Sequence, residues 1–300
     1  DHRDLHLSLR RQRQMCIRDR ANMCLLYNGR EAASRELDQP YLYIGLEAWS
    51  YDLVDELTQF EDFGFYRMML ESRPGPVLDV GCGTGRILLG LKDQGLDVVG
   101  LESSPEMLCH CRQKLSANQL EAELYEGDMR SFDLKRSFST ILIPGFSIQL
   151  LTDDNDLQSC LERCYQHLSP GGQLIVSTYF PWEFLESGKD GEGLAFRSES
   201  ESAETEERVR AFQGWAIDRQ AEILELENRF QLLDQEGSII GEDDREMKLR
   251  WRSTSTMKAF LENTGFEELS LYGDFEFAEP APEAETIVFV AIRPELPSIQ

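Results

Sequence analysis

Val77-Leu78-Asp79-Val80-Gly81-Cys82-Gly83-Thr84-Gly85-Arg86 is the stretch on which the fold turns. A short apolar run, Val77 to Val80, reads as a buried strand, and Arg86 opens the helical pattern that continues to Leu91. Between them stand three alternating glycines. Glycine tolerates positive φ and lets the backbone approach a ligand that a Cβ would exclude, so the strand end and helix start become a binding edge. A dinucleotide-binding turn reads GxGxxG and needs a glycine where this chain has Arg86, which argues against NAD.

Upstream, Arg73-Pro74-Gly75-Pro76 is a strong breaker, and the mixed helical spacings from Leu46 to Leu70 predict one or two helices. Downstream, strands are expected at Asp97 to Leu101, Ala122 to Tyr125, Phe138 to Ile143 and Gln173 to Thr178. Helices from Pro105 and from Asp154 to Leu168 alternate with them, and Ser169-Pro170-Gly171-Gly172 reads as the turn before the fifth strand. The pattern predicts an α/β fold: a doubly wound, seven-stranded, mostly parallel sheet with helices on both faces. Residues 186–207 hold eight acids against two bases and read as a mobile, solvated loop and candidate lid. Val209 to Ile217, Ala221 to Leu233 and Ser238 to Trp251 alternate apolar and polar residues, predicting an antiparallel β insertion before the last helix. That helix, capped by Thr254 or Ser255, runs through Leu261, and strands at Glu267 to Tyr272 and Thr286 to Ile292 end the domain.

Across 300 residues, 41% hydrophobic and 28% charged, the composition is that of an ordinary globular chain. The formal charge of −25 disfavours nucleic acid, which needs a basic surface, and would repel an anionic membrane. No run approaches the roughly 18 apolar residues of a membrane span, and the start lacks the apolar core of a secretory signal, so a cytoplasmic protein is expected. Cys109, His110 and Cys111 point in different directions on a helix and have no CxxC partner; no metal site is expected. Residues 1–20 carry six arginines against three aspartates, and Ser8 to Arg20 resembles a translated sequencing-adapter artefact. The organisation expected is a tail over 1–40, one domain over 41–293 carrying the acidic loop and insertion at 186–251, and a tail over 294–300.

Asp79-x-Gly81-x-Gly83-x-Gly85 resembles the first motif of class I S-adenosylmethionine-dependent methyltransferases, and the similarity covers roughly residues 51 to 293. It implies S-adenosylmethionine as cofactor. Asp79, Gly81, Cys82, Gly83 and Gly85 would form its turn. Glu102, with Ser103 beside it, ends the second strand where the family places the acid that takes both ribose hydroxyls. Gly127-Asp128-Met129 resembles the adenine site, Asp128 taking the exocyclic amine and the Met129 N–H meeting the ring. Ile143-Pro144-Gly145-Phe146 stands where the family lines the methionine arm and admits the acceptor. The Asn/Asp-Pro-Pro-aromatic form of adenine and protein-amide methyltransferases is absent. Tyr51-Asp52 resembles a motif whose tyrosine closes over the cofactor. Phe180-Pro181-Trp182 and the insertion are similar to small-molecule N-methyltransferases, including those acting on amino sugars.

The resemblance implies methyl transfer to a small-molecule acceptor, most simply an amine, with acceptor-pocket candidates Tyr51, Phe146, Gln149, Tyr179 and Trp182. An amine needs only to arrive deprotonated, whereas a hydroxyl or acidic carbon would want a general base. His167, expected on a surface helix, and His110, on another helix, do not supply one. Two other readings stand beside this one: a non-catalytic S-adenosylmethionine-binding protein, and a nucleotide-cofactor oxidoreductase, which Arg86 opposes. The oligomeric state is not legible in the sequence.

Overall fold

The computed structural model describes residues 41–53, 61–202 and 207–295, which fall within one compact unit, Pro40–Gln300. The tail expected over 1–40, the artefact-like 1–20 within it, and 296–300 lie outside the described residues. In chain order, α1 (Gly45–Ser50) and α2 (Phe63–Glu71) precede β1 (Val77–Val80), α3 (Arg86–Asp93), β2 (Val98–Glu102), α4 (Pro105–Ala117), β3 (Glu123–Glu126) and β4 (Phe138–Ile143). A 3-10 turn (Ser147–Leu150) leads into α5 (Asp154–His167), β5 (Leu168–Tyr179) and α6 (Trp182–Glu186). The insertion comprises β6 (Gly191–Glu201), β7 (Arg208–Asp218), β8 (Ile223–Leu233) and β9 (Ile239–Arg250), and α7 (Thr254–Thr264), β10 (Glu267–Gly273) and β11 (Thr286–Ile292) follow it.

The main sheet has seven strands in the order β10-β11-β5-β4-β1-β2-β3, with β11 running antiparallel to both its neighbours. All four residues of β1 are buried, and because side chains alternate along a strand they feed two cores. Leu78 and Val80 pack with α5 and α7 through Leu157, Leu161, Met257 and Leu261. Val77 packs with α2, α3 and α4 through Phe65, Leu88 and Leu108. Helices therefore cover both faces, as the unbroken apolar strands require. β1 pairs with β2 on one side and β4 on the other. The strand order reverses there, which opens a crevice at the carboxyl ends.

β6 to β9 form a separate four-stranded antiparallel sheet in sequential order. Val209, Ala211 and Phe230 pack on Leu46, Trp49 and Leu53 around α1, and Ile217, Leu224 and Trp251 pack on Phe180 and Phe184 beyond β5. The insertion is thus fastened to the core at two places.

Several expectations need correction. Half of the segment read as a mobile acidic loop is the edge strand β6, laddered to β7; residues 203–206 lie outside the described residues. Its acids face solvent, as charges on edge strands do, and Glu199 pairs with Arg208 and Arg210 at 2.8 and 2.5 Å. The turn Ser169 to Gly172 is absorbed into β5 as an irregularity in its pairing with β4, with Gly171 at φ +74°. The cap of α7 is Ser253, whose hydroxyl accepts from the Thr256 N–H at 3.1 Å. His167 is buried rather than at the surface.

Candidate functional site

The glycine turn after β1 folds as its sequence requires, with Gly81, Gly83 and Gly85 at φ +72°, +55° and +90°. Gly85 also allows α3 to sit close: a Cβ there would stand 2.3 Å from the Leu89 Cδ1 and 2.7 Å from the Cys111 Sγ. The turn floors a cavity whose walls include Asp79, Gly81, Cys82, Gly83, Thr84, Glu102, Ser103, Asp128, Met129 and Pro144. Of the twelve residues expected to hold a cofactor, Gly85 and Ile143 stand behind this wall; Ile143 is fully buried in β4.

Asp79 is wholly buried and neither carboxylate oxygen has a hydrogen-bond partner. The Leu88 N–H offers an approach that falls short of a hydrogen bond. Burial pushes the carboxyl up to about 7, against the pull of the Arg86 guanidinium. An orphaned acid facing a cavity is a receptor for a cationic group. Arg86 is itself committed: it forks onto the buried Asp62, with Nη2 at 2.8 Å from Oδ2.

Glu102 ends β2 with its carboxylate already fixed. It accepts from the Gly83 N–H at 3.0 Å and the Ser104 N–H at 2.8 Å. Each carboxylate oxygen has more than one lone pair, so both can still accept from a vicinal diol. Burial raises this carboxyl and the backbone bonds oppose the rise. Asp128 is more encumbered than expected. Arg130 grips both its oxygens, at 3.1 and 3.0 Å from Nε and 2.7 Å from Nη2, and reaches Asp156 at 2.8 Å. An amine donor would share Asp128 with that guanidinium.

Above the turn runs a chain of tyrosines. Tyr41, Tyr43 and Tyr51 all line the cavity and meet edge to face at 5.1 and 5.3 Å. Tyr51 was expected there, whereas Tyr41 and Tyr43 were missed although Tyr41-Leu42-Tyr43 stands in the sequence. Asp52, next in line, accepts from the Thr84 hydroxyl at 2.7 Å and pairs with Lys114 at 3.0 Å, which ties the segment to the glycine turn. Burial pushes the Tyr51 phenol up to about 12.

Of the expected acceptor residues only Tyr51 lines the cavity, while Phe146 and Gln149 flank its lining residues Gly145, Ser147 and Leu150 in the chain. Phe146 sits in the left-handed region at φ +62°, an unfavourable backbone for a bulky residue that persists where the surroundings enforce it. Its ring lies 5.6 Å from that of Tyr179. Gln149 is buried and its amide is spent on backbone: Oε1 accepts from the Tyr179 N–H at 2.7 Å and Nε2 donates to the Tyr179 carbonyl at 2.9 Å. Gln149 therefore braces the rim. Trp182 packs at a tilt against Phe180, ring centres 4.4 Å apart, and donates its indole N–H to the Ala284 carbonyl at 3.0 Å. The Nε2 of His167 accepts from the Leu134 N–H at 3.1 Å and its Nδ1 meets the Arg163 carbonyl at 2.7 Å, a structural role. Among the described residues no group of three or more His, Cys, Asp or Glu is placed to hold a metal.

The strand order, the switch-point cavity and the glycine turn are those of the class I methyltransferase fold. Residues 77–172 match the family described as "Methyltransferase domain". The chain is 38% identical over 115 residues to dTDP-3-amino-3,4,6-trideoxy-alpha-D-glucopyranose N,N-dimethyltransferase of Streptomyces venezuelae, covering 38% of this chain and 46% of that protein. The chain spans about half the length of the first curated relatives it matches. In structure it is similar to a S-adenosylmethionine-dependent methyltransferase from Clostridium acetobutylicum ATCC 824, with TM-score 0.68 and 18% identity over 82% of this chain and 97% of the other. It is also similar to the sugar N-methyltransferase KedS8 from Streptoalloteichus sp ATCC 53650, with TM-score 0.66 and 23% identity over 89% and 99% of the two chains.

Proposed function

We propose that this protein is an S-adenosylmethionine-dependent methyltransferase acting on the amine of a small molecule, with amino sugars as the first class to try. The observation that carries the reading is the cavity that gathers Asp79, Glu102 and Asp128 at three successive strand ends over the glycine turn. The residues present fit the cofactor: the orphaned Asp79 suits a cationic amino-acid end, Glu102 a ribose, and the Asp128-Met129 edge an adenine. When bound, the cofactor supplies an electrophilic methyl group on a sulfonium.

The chain's own contribution is orientation. Holding a nucleophile in line with the methyl can supply much of the acceleration, and the paired rings of Phe146 and Tyr179 give an apolar edge next to Gly145 of the cavity wall. Tyr179, its phenol pushed up to about 12 by burial, and the structural His167 leave an amine as the acceptor that asks least of a base. The similarity to amino-sugar N,N-dimethyltransferases supports this choice of acceptor. Long nucleic acids are excluded from the proposal by the charge of −25. A cytoplasmic setting is part of the proposal and rests on composition alone.

The test is transfer of a labelled methyl group from S-adenosylmethionine to a panel of small amines, nucleotide-linked amino sugars included. It is preceded by thermal unfolding with S-adenosylhomocysteine and with NAD as control. Stabilisation by the nucleoside alone, followed by labelled product, supports the reading. Stabilisation without transfer to any amine would leave only binding, and no stabilisation of the folded protein would overturn the cofactor.

A further inference from the structure

The segment 41–51 that carries the three tyrosines is held from two sides. From the main domain, Ser104 donates its hydroxyl to the Tyr43 carbonyl and Glu106 accepts from the Gly45 N–H at 2.8 Å. From the insertion, Asp243 accepts from the Leu46 N–H at 3.2 Å. Arg245, on the same strand β9, donates Nη2 to the Leu42 carbonyl at 2.6 Å and brings Nε to 3.4 Å from Glu47. Its guanidinium also lies 5.7 Å from the centre of the Tyr41 ring, and the Tyr41 hydroxyl reaches the two Glu47 oxygens at 2.5 and 2.6 Å. The side chains of Arg245 and Glu47 are 12% and 4% exposed, so a partly buried cation meets a buried acid.

Arg245 pairs with Glu47 on α1, and its charge also acts on Glu106 on α4 and Asp243 on β9, which hold the Gly45 and Leu46 N–H groups. Burial raises all three, and Arg245 opposes the rise in each. Removing one partner of a partly buried charged cluster leaves the others less compensated. Without that cation, Glu47 and Glu106 are left with the charge of Asp243, which raises both. Gly45 closes the same joint sterically. It stands at φ +64°, and a Cβ there would lie 2.3 Å from the Asp243 Oδ2.

We infer that Arg245 is a positioning residue that locks the tyrosine segment over the cofactor cavity, so that the inserted sheet sets how tightly the cofactor is held. This rests on the cavity being the S-adenosylmethionine site. Nothing in the lock touches the reacting atoms: Arg245 acts through Leu42 and Glu47 on the segment, and the segment presents Tyr43 and Tyr51 to the cavity.

The experiment compares wild type, Arg245→Ala, Arg245→Lys, Gly45→Ala and Arg229→Ala in the full chain. Arg229 pairs with Asp244 on the exposed side of the same sheet, at 2.7 Å, and serves as the control for sheet stability. S-adenosylhomocysteine affinity and dissociation rate are read by calorimetry and stopped flow, and hydrogen exchange is read over residues 41–50. Arg245→Ala should weaken affinity about tenfold or more, the scale of a lost charge-assisted hydrogen bond. The loss should appear in a faster dissociation, with exchange raised over 41–50. Arg245→Lys keeps the charge without the fork and should fall between, Gly45→Ala should resemble Arg245→Ala, and Arg229→Ala should match wild type.

A folded Arg245→Ala with wild-type affinity, or a loss equalled by Arg229→Ala, overturns the lock. If Arg245→Ala does not fold, unchanged affinity in both Arg245→Lys and Gly45→Ala overturns it equally. Failure of the wild type to bind S-adenosylhomocysteine sinks the cofactor reading instead. The exchange comparison of ligand-free wild type and Arg245→Lys then decides the lock by itself: faster exchange over 41–50 in the variant supports it, and equal exchange overturns it.

Discussion

Asp79→Asn separates the cost of the site from its use. In the folded, ligand-free protein the Asp79 carboxyl is raised from its ordinary 3.8 to about 7 by burial. The folded state then holds a proton that the unfolded state has released between those two values, so wild-type stability falls as pH rises from about 4 to about 7 and levels off above. At pH 8 the whole penalty is present, on the order of 4 kcal/mol for a rise of that size. At pH 5 only the part between 4 and 5 has accrued. The variant has no such slope, although its buried amide carries its own cost of about 1–3 kcal/mol at every pH. The amide cost cancels when the two pH values are compared. Urea unfolding of both proteins at pH 5 and pH 8 should therefore show Asp79→Asn gaining about 3 kcal/mol on wild type between them. A gap between variant and wild type that is the same at both pH values would refute an acid held neutral by burial.

Three further outcomes follow from the site. Glu102→Gln must turn an NH2 toward either the Gly83 or the Ser104 N–H, now at 3.0 and 2.8 Å from its oxygens; calorimetry should show S-adenosylhomocysteine weakened by about 1–3 kcal/mol, and wild-type affinity would remove Glu102 from the ribose. Phe146→Gly relieves a left-handed backbone at φ +62° while deleting a ring at the acceptor edge. Thermal stability should hold or rise and the acceptor KM should increase, whereas an unchanged KM would place the acceptor elsewhere. His167→Ala should lower stability by about 1–3 kcal/mol through the orphaned Leu134 N–H and leave S-adenosylhomocysteine affinity untouched; a loss of binding there would contradict its structural role.

The inner strands of the main sheet were legible because they are buried on both faces and announce themselves as apolar runs. Phe138 to Ile143 is the clearest case, predicted and found with the same bounds. β7, β8 and β9 were legible by the alternation of a half-buried sheet, within a few residues at their ends. β6 was not, because its pairing with β7 lies outside its own composition: an acidic, glycine-bearing edge strand and an acidic loop look alike until the ladder is drawn. The floor of the site was legible for a similar reason to the strands, since the glycines and the strand-end acids are local signals. Its roof was not. Tyr41 and Tyr43 acquire their place from Arg245, whose bond to Leu42 spans 203 positions. Gln149 was expected to face the acceptor, yet its amide is consumed by the Tyr179 backbone, a contact that exists only once the 3-10 turn meets β5.

The charge on Asp79 also constrains which end of the cofactor it serves. S-adenosylmethionine carries two cationic centres, a sulfonium that loses its charge as the methyl departs and an ammonium that does not change. A buried, unscreened carboxylate against the sulfonium would stabilise the starting state more than the transition state and slow the chemical step, because only interactions that strengthen toward the transition state accelerate it. Against the ammonium the same carboxylate binds both states alike and is neutral for the rate. Asp79 lies at the end of β1 beside the Arg86–Asp62 pair, fully buried and unbonded, an arrangement suited to anchoring a permanent charge rather than a vanishing one. The two assignments differ in one ratio. If Asp79 holds the ammonium, Asp79→Asn weakens S-adenosylmethionine and S-adenosylhomocysteine by the same factor at pH 8, since both carry that group. If it faces the sulfonium, S-adenosylmethionine loses more than S-adenosylhomocysteine, which lacks that one charge.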